Sequence, residues 1–332
     1  MTPLNILRRA AVLGSLALLV SAPVAAQGDN YPNKPITMVI GYPPGGSTDL
    51  TGRTLAHELS KKLGVPVVIE NVGGAGGAIG AQKVVNAAPD GYTLLVGANN
   101  EIAISRLVSS AVKYQIKDFT PIGLIASQPL VLVASQKSGV KTLGQFLSLV
   151  KQNPGKFSYG SSGVGTALHL AGEMVKEQGG LFMTHIPYRG VAPLTNDLLG
   201  NNIDFGVFVL SSALPHIRSG KLVALGTTEA KHSALMPEVA ALAENHKLKG
   251  IDIGVWFALM GPAKLPEPVL ARLKRLSARP CSRPSCARSW KKPAPRWPRP
   301  MWTCRNFWTQ KRPNTRKRLI TPRSKNERRT DF

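Results

Sequence analysis

The chain has no cysteine before Cys281. A disulfide framework is therefore excluded for the body of the protein, as suits an exported chain that avoids unwanted cross-links. Cysteines 281, 286 and 304 have no histidine near them, so a zinc site of the usual spacing is not written there either. Long apolar runs are also missing. Ala10 to Val20 is too short for a comfortable membrane span, and no later stretch offers the about 18 consecutive apolar residues that a spanning helix needs. The six histidines show neither H-x-x-x-H nor H-E-x-x-H spacing, which leaves metal catalysis without support. Acidic residues are scarce, 18 against 42 Lys/Arg, for a formal net charge of +24. Such an excess ordinarily points to nucleic acid or an anionic surface, but its placement argues otherwise. Residues 274–332 hold 19 Lys/Arg and two Asp/Glu, which leaves 23 against 16 elsewhere. The body is only mildly basic.

What is present begins with an export signal over residues 1–26. Arg8 and Arg9 supply its charge, Ala10 to Val20 its apolar core, and Val24-Ala25-Ala26 the small residues of a cleavage site. No cysteine at that site calls for a lipid anchor, and the paired arginines fit the twin-arginine pattern only weakly. The mature protein is expected to be soluble and periplasmic. At 332 residues the chain exceeds one typical domain, so two lobes are expected.

The organising stretch is residues 35–64. Ile36 to Ile40 reads as a buried strand that breaks at Pro43-Pro44-Gly45-Gly46. A helix then starts at Ser47, with Leu55, Leu59 and Leu63 on one face. A strand that stops at glycines and hands over to a helix leaves unpaired N–H groups beside a positive dipole end, an anion site that needs no cationic side chain. Ser47 is expected to cap the helix and Asp49 to complement its dipole. The plainer alternative is a tight turn.

The rhythm repeats. Val65 to Glu70 reads as a strand, then Asn71 to Gly80 as a glycine loop and Ala78 to Ala88 as a helix. Tyr92 to Val96 is a third strand, and Gly97-Ala98-Asn99-Asn100 a third loop. Strand, loop and helix in that order predict an α/β fold with a doubly wound parallel sheet, its ligand beyond the carboxyl ends of the strands. Leu124 to Ala134 is long enough to cross between lobes. A second lobe follows with the same rhythm. It has a helix capped by Thr142, the loop Gly160 to Thr166, a helix near Ala192 to Leu199, strands at Ile203 to Val209 and Leu222 to Thr227, and a helix over Ser212 to Ser219. Gly254 to Met260 and a helix from Pro268 return the chain to lobe one. The expected division is 27–126 and 229–273 for lobe one and 127–228 for lobe two.

From Lys274 onward Arg, Pro, Ser, Trp and Cys dominate and no periodicity survives. A basic arm for single-stranded nucleic acid and a disordered exported tail both suit this composition. We favour a shift of reading frame, with residues 274–332 poorly ordered. Suitable codons for Ser289-Trp290-Lys291-Lys292-Pro293-Ala294-Pro295-Arg296-Trp297, read in a neighbouring frame, give an ordinary acidic helix end.

Several glycine motifs fall short of nucleotide or esterase signatures. The run Gly73 to Gly80 fails the dinucleotide fingerprint, because Ile79 stands where glycine or alanine is needed, and no Gly-Lys-Ser/Thr follows. Val164 breaks the G-x-S-x-G elbow around Ser162, and no catalytic triad can be assigned. An exported hydrolase using Ser161 or Ser162 is thus a weak rival.

Taken together, YPNKPITMVIGYPPGGSTD, GVPVVIENVGGAGGAIGA, PDGYTLLVGANN, DFTPIGLIA, YGSSGVGTALHLAGE, IPYRGVAPLTNDLLGNNIDF, ALPHIRSGKLVALGTT and WFALMGPAKLPEPVLARL run in the order of a known family. Over residues 30–273 the chain resembles the Bug (TctC-type) extracytoplasmic solute receptors of tripartite tricarboxylate transporters. Two departures stand out. The family's Ser/Thr-Thr-His type segment is replaced by Gly97 to Asn100, and the tail lacks the family's final helix pair. The resemblance implies a periplasmic-binding-protein fold of two lobes closing on a small organic anion, a mono- or dicarboxylate. It also implies inner-membrane transporter subunits as partners and binding without a cofactor. The charge placement and the missing motifs add the expectation of no nucleic acid, no metal and no catalysis, and a monomer is expected.

Candidate ligand contacts in lobe one are Tyr42, Pro43, Gly45, Gly46, Ser47, Asp49, Gly76, Gly77, Ala78, Asn99 and Asn100. In lobe two they are Ser161, Ser162, Gly165, Thr166, His169, Tyr188, Asp204 and Phe208. For each there is a bland alternative. The glycines equally suit close helix–sheet packing, His169 a structural hydrogen bond, Asn99 and Asn100 a turn, Asp204 a neighbouring loop and Phe208 the core.

Overall fold

The computed structural model describes residues 31–233 and 236–277. The export signal expected at 1–26 lies outside the described residues, as does the tail beyond Ser277.

Lobe one is built from β1 (Ile36–Ile40), α1 (Ser47–Leu63), β2 (Val67–Asn71), α2 (Ala78–Val85), β3 (Thr93–Ala98) and the short α3 (Ser105–Val108). β1 pairs in parallel with β2 on one side and β3 on the other. Both sheet faces are covered, and the sequence shows why. Met38, Ile40, Leu94 and Val96 pack with Leu59 of α1, whereas the alternate residues Val39 and Leu95 pack with Ala78, Ala81 and Val84 of α2. The three strands end on the same edge, where the loops after Ile40, Asn71 and Ala98 meet.

A single long strand, β4 (Phe119–Ser135), joins the lobes. Phe119 to Pro129 pairs antiparallel with the returning strand β9 (Gly254–Pro262), which also borders β3. From Leu130 on, β4 lies instead between β7 (Phe205–Val209) and β8 (Leu222–Thr227). The switch of partners falls at Pro129, whose missing N–H would leave a gap in any continuous ladder. Lobe two adds α4 (Leu143–Gln152), β5 (Ser158–Ser161), α5 (Ala167–Gly179), β6 (Thr184–Pro187), α6 (Val191–Leu199) and α7 (Leu210–Arg218). Its parallel trio is β6-β5-β7. α8 (Glu267–Ser277) closes lobe one by seating Leu273 beside Leu259 and Leu59.

The fold is the two-lobed α/β arrangement expected from the sequence. Two local expectations change. Gly97 to Asn100 is not a loop: β3 runs through Ala98 and Asn100 to Ile104 coil into one π-turn. The cause is Glu101, whose Oε1 accepts the Ala98 N–H at 2.7 Å and satisfies the strand end from within the turn. β6 was not anticipated, because a four-residue strand with two prominently polar residues carries no clear period of two.

Candidate functional site

Four helices of nine residues or more begin around one small cavity between the lobes. It measures 20 Å³, and its lining includes Ser47 and Thr48 at the start of α1, Leu168 of α5, Val191 at the start of α6 and Val209 just before α7. Three of these starts have no capping side chain, since their N-cap residues are Gly46, Gly190 and Val209. The first-turn N–H groups of an uncapped helix have no intrahelical partner and carry the positive end of its dipole. Three such ends, with the Thr166-capped start of α5 beside them, make a strong anion field without a Lys or Arg in the lining. Val191, Val209, Val255 and Phe257 add apolar walls.

Ser47 is the first residue of α1 rather than its cap, a correction to the sequence expectation. The loop before it is held by Asp49, whose Oδ2 accepts from Gly45 N and Arg53 Nε, each at 2.9 Å, while Oδ1 accepts from Asn71 Nδ2 at 2.9 Å. Burial would raise the Asp49 pKa, but these donors, Arg53 foremost, outweigh it and hold the carboxyl below its ordinary range. Asp49 is thus fully occupied in shaping the loop.

A buried hydrogen-bond network runs under the lobe-one loops and across the cleft. Asn100 Nδ2 donates to the Tyr42 hydroxyl at 2.9 Å, and Asn100 Oδ1 accepts from Ala167 N, the first residue of α5, at 2.8 Å. The Tyr42 hydroxyl donates to Gly76 O at 2.7 Å and lies 3.1 Å from Glu101 Oε2. Tyr42 and Glu101 are both buried, the latter 1% exposed. Burial pushes the Glu101 carboxyl up to about 7 and the Tyr42 hydroxyl well above its usual range. Gly77 has φ +95°, and a Cβ there would lie 2.9 Å from the Glu101 carboxyl, so only glycine fits above it.

On the lobe-two side Thr166 caps α5 by accepting from His169 N at 3.3 Å. Two imidazoles brace the loop before it. His185 Nε2 lies 2.7 Å from Ser161 Oγ, and His169 Nδ1 accepts from Gly165 N at 3.1 Å. The rings stack with centroids 4.2 Å apart, and His185 stacks on Tyr159 at 4.8 Å. Burial pulls the His185 pKa down to about 4, with His169 adding to the effect, and burial likewise lowers His169. The Ser161–His185 contact does not make a nucleophile. Ser161 is fully buried, and among the described residues no carboxylate hydrogen-bonds His185 to orient it.

A second, larger chamber of 260 Å³ adjoins the first and shares Tyr42 and Ser162 with it. Gly74 to Gly77, Ser162 to Val164 and Pro187 to Arg189 line it. Of the sequence candidates, Tyr42, Gly46, Ser47, Asn100 and Ser162 face the small cavity, and Gly76, Gly77 and Tyr188 the larger chamber. Pro43, Gly45, Ala78, Gly165 and Thr166 line neither cavity. Pro43 packs towards Gly190 of the other lobe, Ala78 opens α2, and Gly165 is closed over by Val108. Ser161 and His169 support the loop from beneath. Asn99 turns away and donates to Gly254 O at 3.0 Å. Two placements correct the sequence reading. Asp204 precedes β7 and accepts from Ser158 N at 2.9 Å, at the end of β5 opposite Ser161. Phe208 is fully buried in the lobe-two core, while its neighbour Val209 reaches the cavity. The sequence reading missed Val191, Val255 and Phe257, whose strand or helix-start positions give no mark distinguishing wall from core. It also missed Glu101, although an acid between Asn100 and the apolar run Ile102 to Ile104 was a visible irregularity.

Residues 51–294 match the family described as the tripartite tricarboxylate transporter family receptor. The protein BugT of Bordetella pertussis is 34% identical over 276 residues, which cover 82% of this chain and 84% of BugT. Among solved structures, an R. palustris protein with adipate superposes with TM-score 0.74 at 29% identity, covering 77% of this chain and 86% of that one. MatC from Rhodopseudomonas palustris with bound malate superposes with TM-score 0.80 at 26% identity, covering 87% of this chain and all of MatC. These neighbours are binding proteins, not enzymes.

Proposed function

The chain belongs to the tripartite tricarboxylate transporter receptor family, and from that premise we propose that it is exported, captures a mono- or dicarboxylate between its lobes and delivers it to inner-membrane transporter subunits. The observation that carries this is the convergence of four helix starts on one cavity whose lining has no cationic side chain. A carboxylate there accepts from main-chain N–H groups in a site screened from water, where such bonds are strongest. Adipate and malate in related proteins support the same ligand class.

In this closed arrangement the Asn100 carboxamide oxygen occupies the Ala167 N–H that a ligand oxygen would otherwise take. Asn100 therefore acts as an internal substitute that holds the lobes together, and a carboxylate displaces it when the lobes reopen and close around the ligand. The larger chamber, with exposed Arg189 at its edge, accommodates the rest of the molecule. No helix among the described residues is long and apolar enough to cross a membrane. Isothermal titration against succinate, malate, glutarate, adipate and their monocarboxylate analogues tests the proposal. Heat that saturates at micromolar ligand for at least one member is expected, and no binding across the panel at millimolar concentration overturns it.

A further inference from the structure

We propose that Glu101 is a proton site coupled to the cleft, so that the closed, anion-loaded receptor carries one proton on that carboxyl. The inference rests on the carboxylate-receptor reading above.

The argument starts from a count of donors. Tyr42 has one hydroxyl proton, and two acceptors lie within reach of it, Gly76 O at 2.7 Å and Glu101 Oε2 at 3.1 Å. If Glu101 is ionised, the hydroxyl satisfies only one of them. One of these two buried acceptors then loses the hydroxyl, and the charged carboxyl has only the Ala98 and Glu101 main-chain N–H groups to offset its burial. If Glu101 Oε2 is protonated, the count closes. Glu101 donates to the Tyr42 oxygen, which also accepts from Asn100 Nδ2. Tyr42 in turn donates to Gly76 O, and Glu101 Oε1 accepts from Ala98 N. The protonated carboxyl is the form in which every one of these atoms has a partner.

The surroundings favour the same form. No Lys, Arg or His pairs with Glu101 among the described residues. The titratable groups that face it are Tyr42 from the loop after β1 and Tyr114, whose hydroxyl donates to Glu101 O at 2.6 Å. Both tyrosines are held protonated by burial, so neither supplies a compensating charge. The carboxyl titrates at about 7, raised by burial, within the range where a modest change in its surroundings alters its charge.

The coupling to ligand follows from position. The carboxyl lies directly under Gly77 and beside Tyr42, and both line the larger chamber. One layer of residues separates a bound anion from Glu101, too little to insulate two negative charges in a dry site. An anion in the cleft therefore favours the protonated acid, and by linkage the protonated acid favours the anion.

The test uses titration calorimetry with malate and adipate between pH 6.5 and 8.5, where the ligands' own carboxyls stay ionised. Affinity is expected to weaken about twentyfold over that range, with close to one proton taken up per ligand at the alkaline end when buffers of different ionisation enthalpy are compared. Glu101→Gln, which keeps both bonding partners in a permanently neutral form, should bind with a flat profile and no uptake. Equal pH slopes and equal proton uptake in the two proteins overturn the inference and leave the receptor reading standing. If neither protein binds either ligand, the receptor reading itself fails and this inference falls with it. Should Glu101→Gln not fold, the carboxyl carbon-13 shift of Glu101 in the unaltered protein decides the matter. A midpoint near neutrality that rises with ligand supports the proposal, and an ordinary acidic midpoint refutes it.

Discussion

Replacing Asn100 with alanine removes the side-chain contact that we assign as a latch between the lobes, together with its bond to the Tyr42 hydroxyl within lobe one. Its Oδ1 accepts from Ala167 N at 2.8 Å, and both residues are buried. When the lobes part, water can serve both groups, so the closed form gains only the net worth of one neutral hydrogen bond, about 1 kcal/mol. In the alanine variant the closed form additionally strands the Ala167 N–H, and the total loss becomes about 1–2 kcal/mol, or a factor of about 5–30 in the closed-to-open ratio. Amide hydrogen exchange reads this directly. Exchange at Ala167 should accelerate by at least that factor, because its acceptor is gone and opening exposes it. The His169 amide is the internal control, since its acceptor, Thr166 Oγ1, belongs to the same lobe and stays in place on opening. Unchanged exchange at Ala167 would refute the latch. So would equal acceleration at both amides, which would indicate fraying of α5 rather than parting of the lobes.

Other consequences concern stability. The Glu101 carboxyl titrates at about 7 in the folded protein against 4.5 in an exposed chain, so the folded state binds more protons between those values. Stability should fall as pH rises through that window, and Glu101→Gln should be more stable than the unaltered protein by up to about 3 kcal/mol at pH 8, with little difference at pH 4. Urea unfolding at the two pH values measures this. His185 has the opposite sign. Its folded pKa is lowered, so the support it gives is complete above about 6.5 and is lost as pH falls toward about 4. The unfolding midpoint should decline over that interval, less steeply in His185→Gln. Thr166→Ala removes the cap of α5 and should cost about 1 kcal/mol, lowering the melting temperature by roughly 2–4 °C. Gly172→Ala would drive a methyl into the ring of Tyr159 and should cost about 1–3 kcal/mol in the same assay.

Much of this architecture is legible in the sequence because its signals are local. Alternation in Ile36 to Ile40, the glycines that interrupt it and the helix period after Ser47 each depend on a few neighbouring residues, and they place β1, the loop and α1 closely. Thr142 is read as a cap for the same reason, and it does accept from Gln145 N. Contacts that depend on distant partners are not legible. Phe208 and Val209 are adjacent apolar residues of β7, yet one fills the core and the other reaches the cavity, a choice made by the pairing with β4. Asp204 looks like a site residue because it precedes a strand, but sites collect at the other end of parallel strands, and β7 runs parallel to β5. The sequence shows Asn100 only as an amide able to donate to a carboxylate. What it holds, the first N–H group of a helix 67 positions later, is a fact of lobe closure.

If the cleft takes the carboxylate we propose, the charges around it account for a buried acid beneath it. A helix start contributes roughly half a positive charge, so the four starts around the cavity together offset about two negative charges. Their field comes from the peptide backbone and does not vary with pH. The small cavity has no Lys or Arg in its lining to adjust it, and exposed Arg189 reaches only the larger chamber. With Glu101 ionised, that fixed positive field is already partly cancelled from below, and an incoming carboxylate meets less of it. With Glu101 protonated, the whole field is available to the ligand. A cationic side chain would bind anions more tightly but hold them at every pH. A fixed backbone field above one titratable acid gives a cleft whose grip depends on the proton, and such a cleft can release its ligand without any change in the groups that bind it.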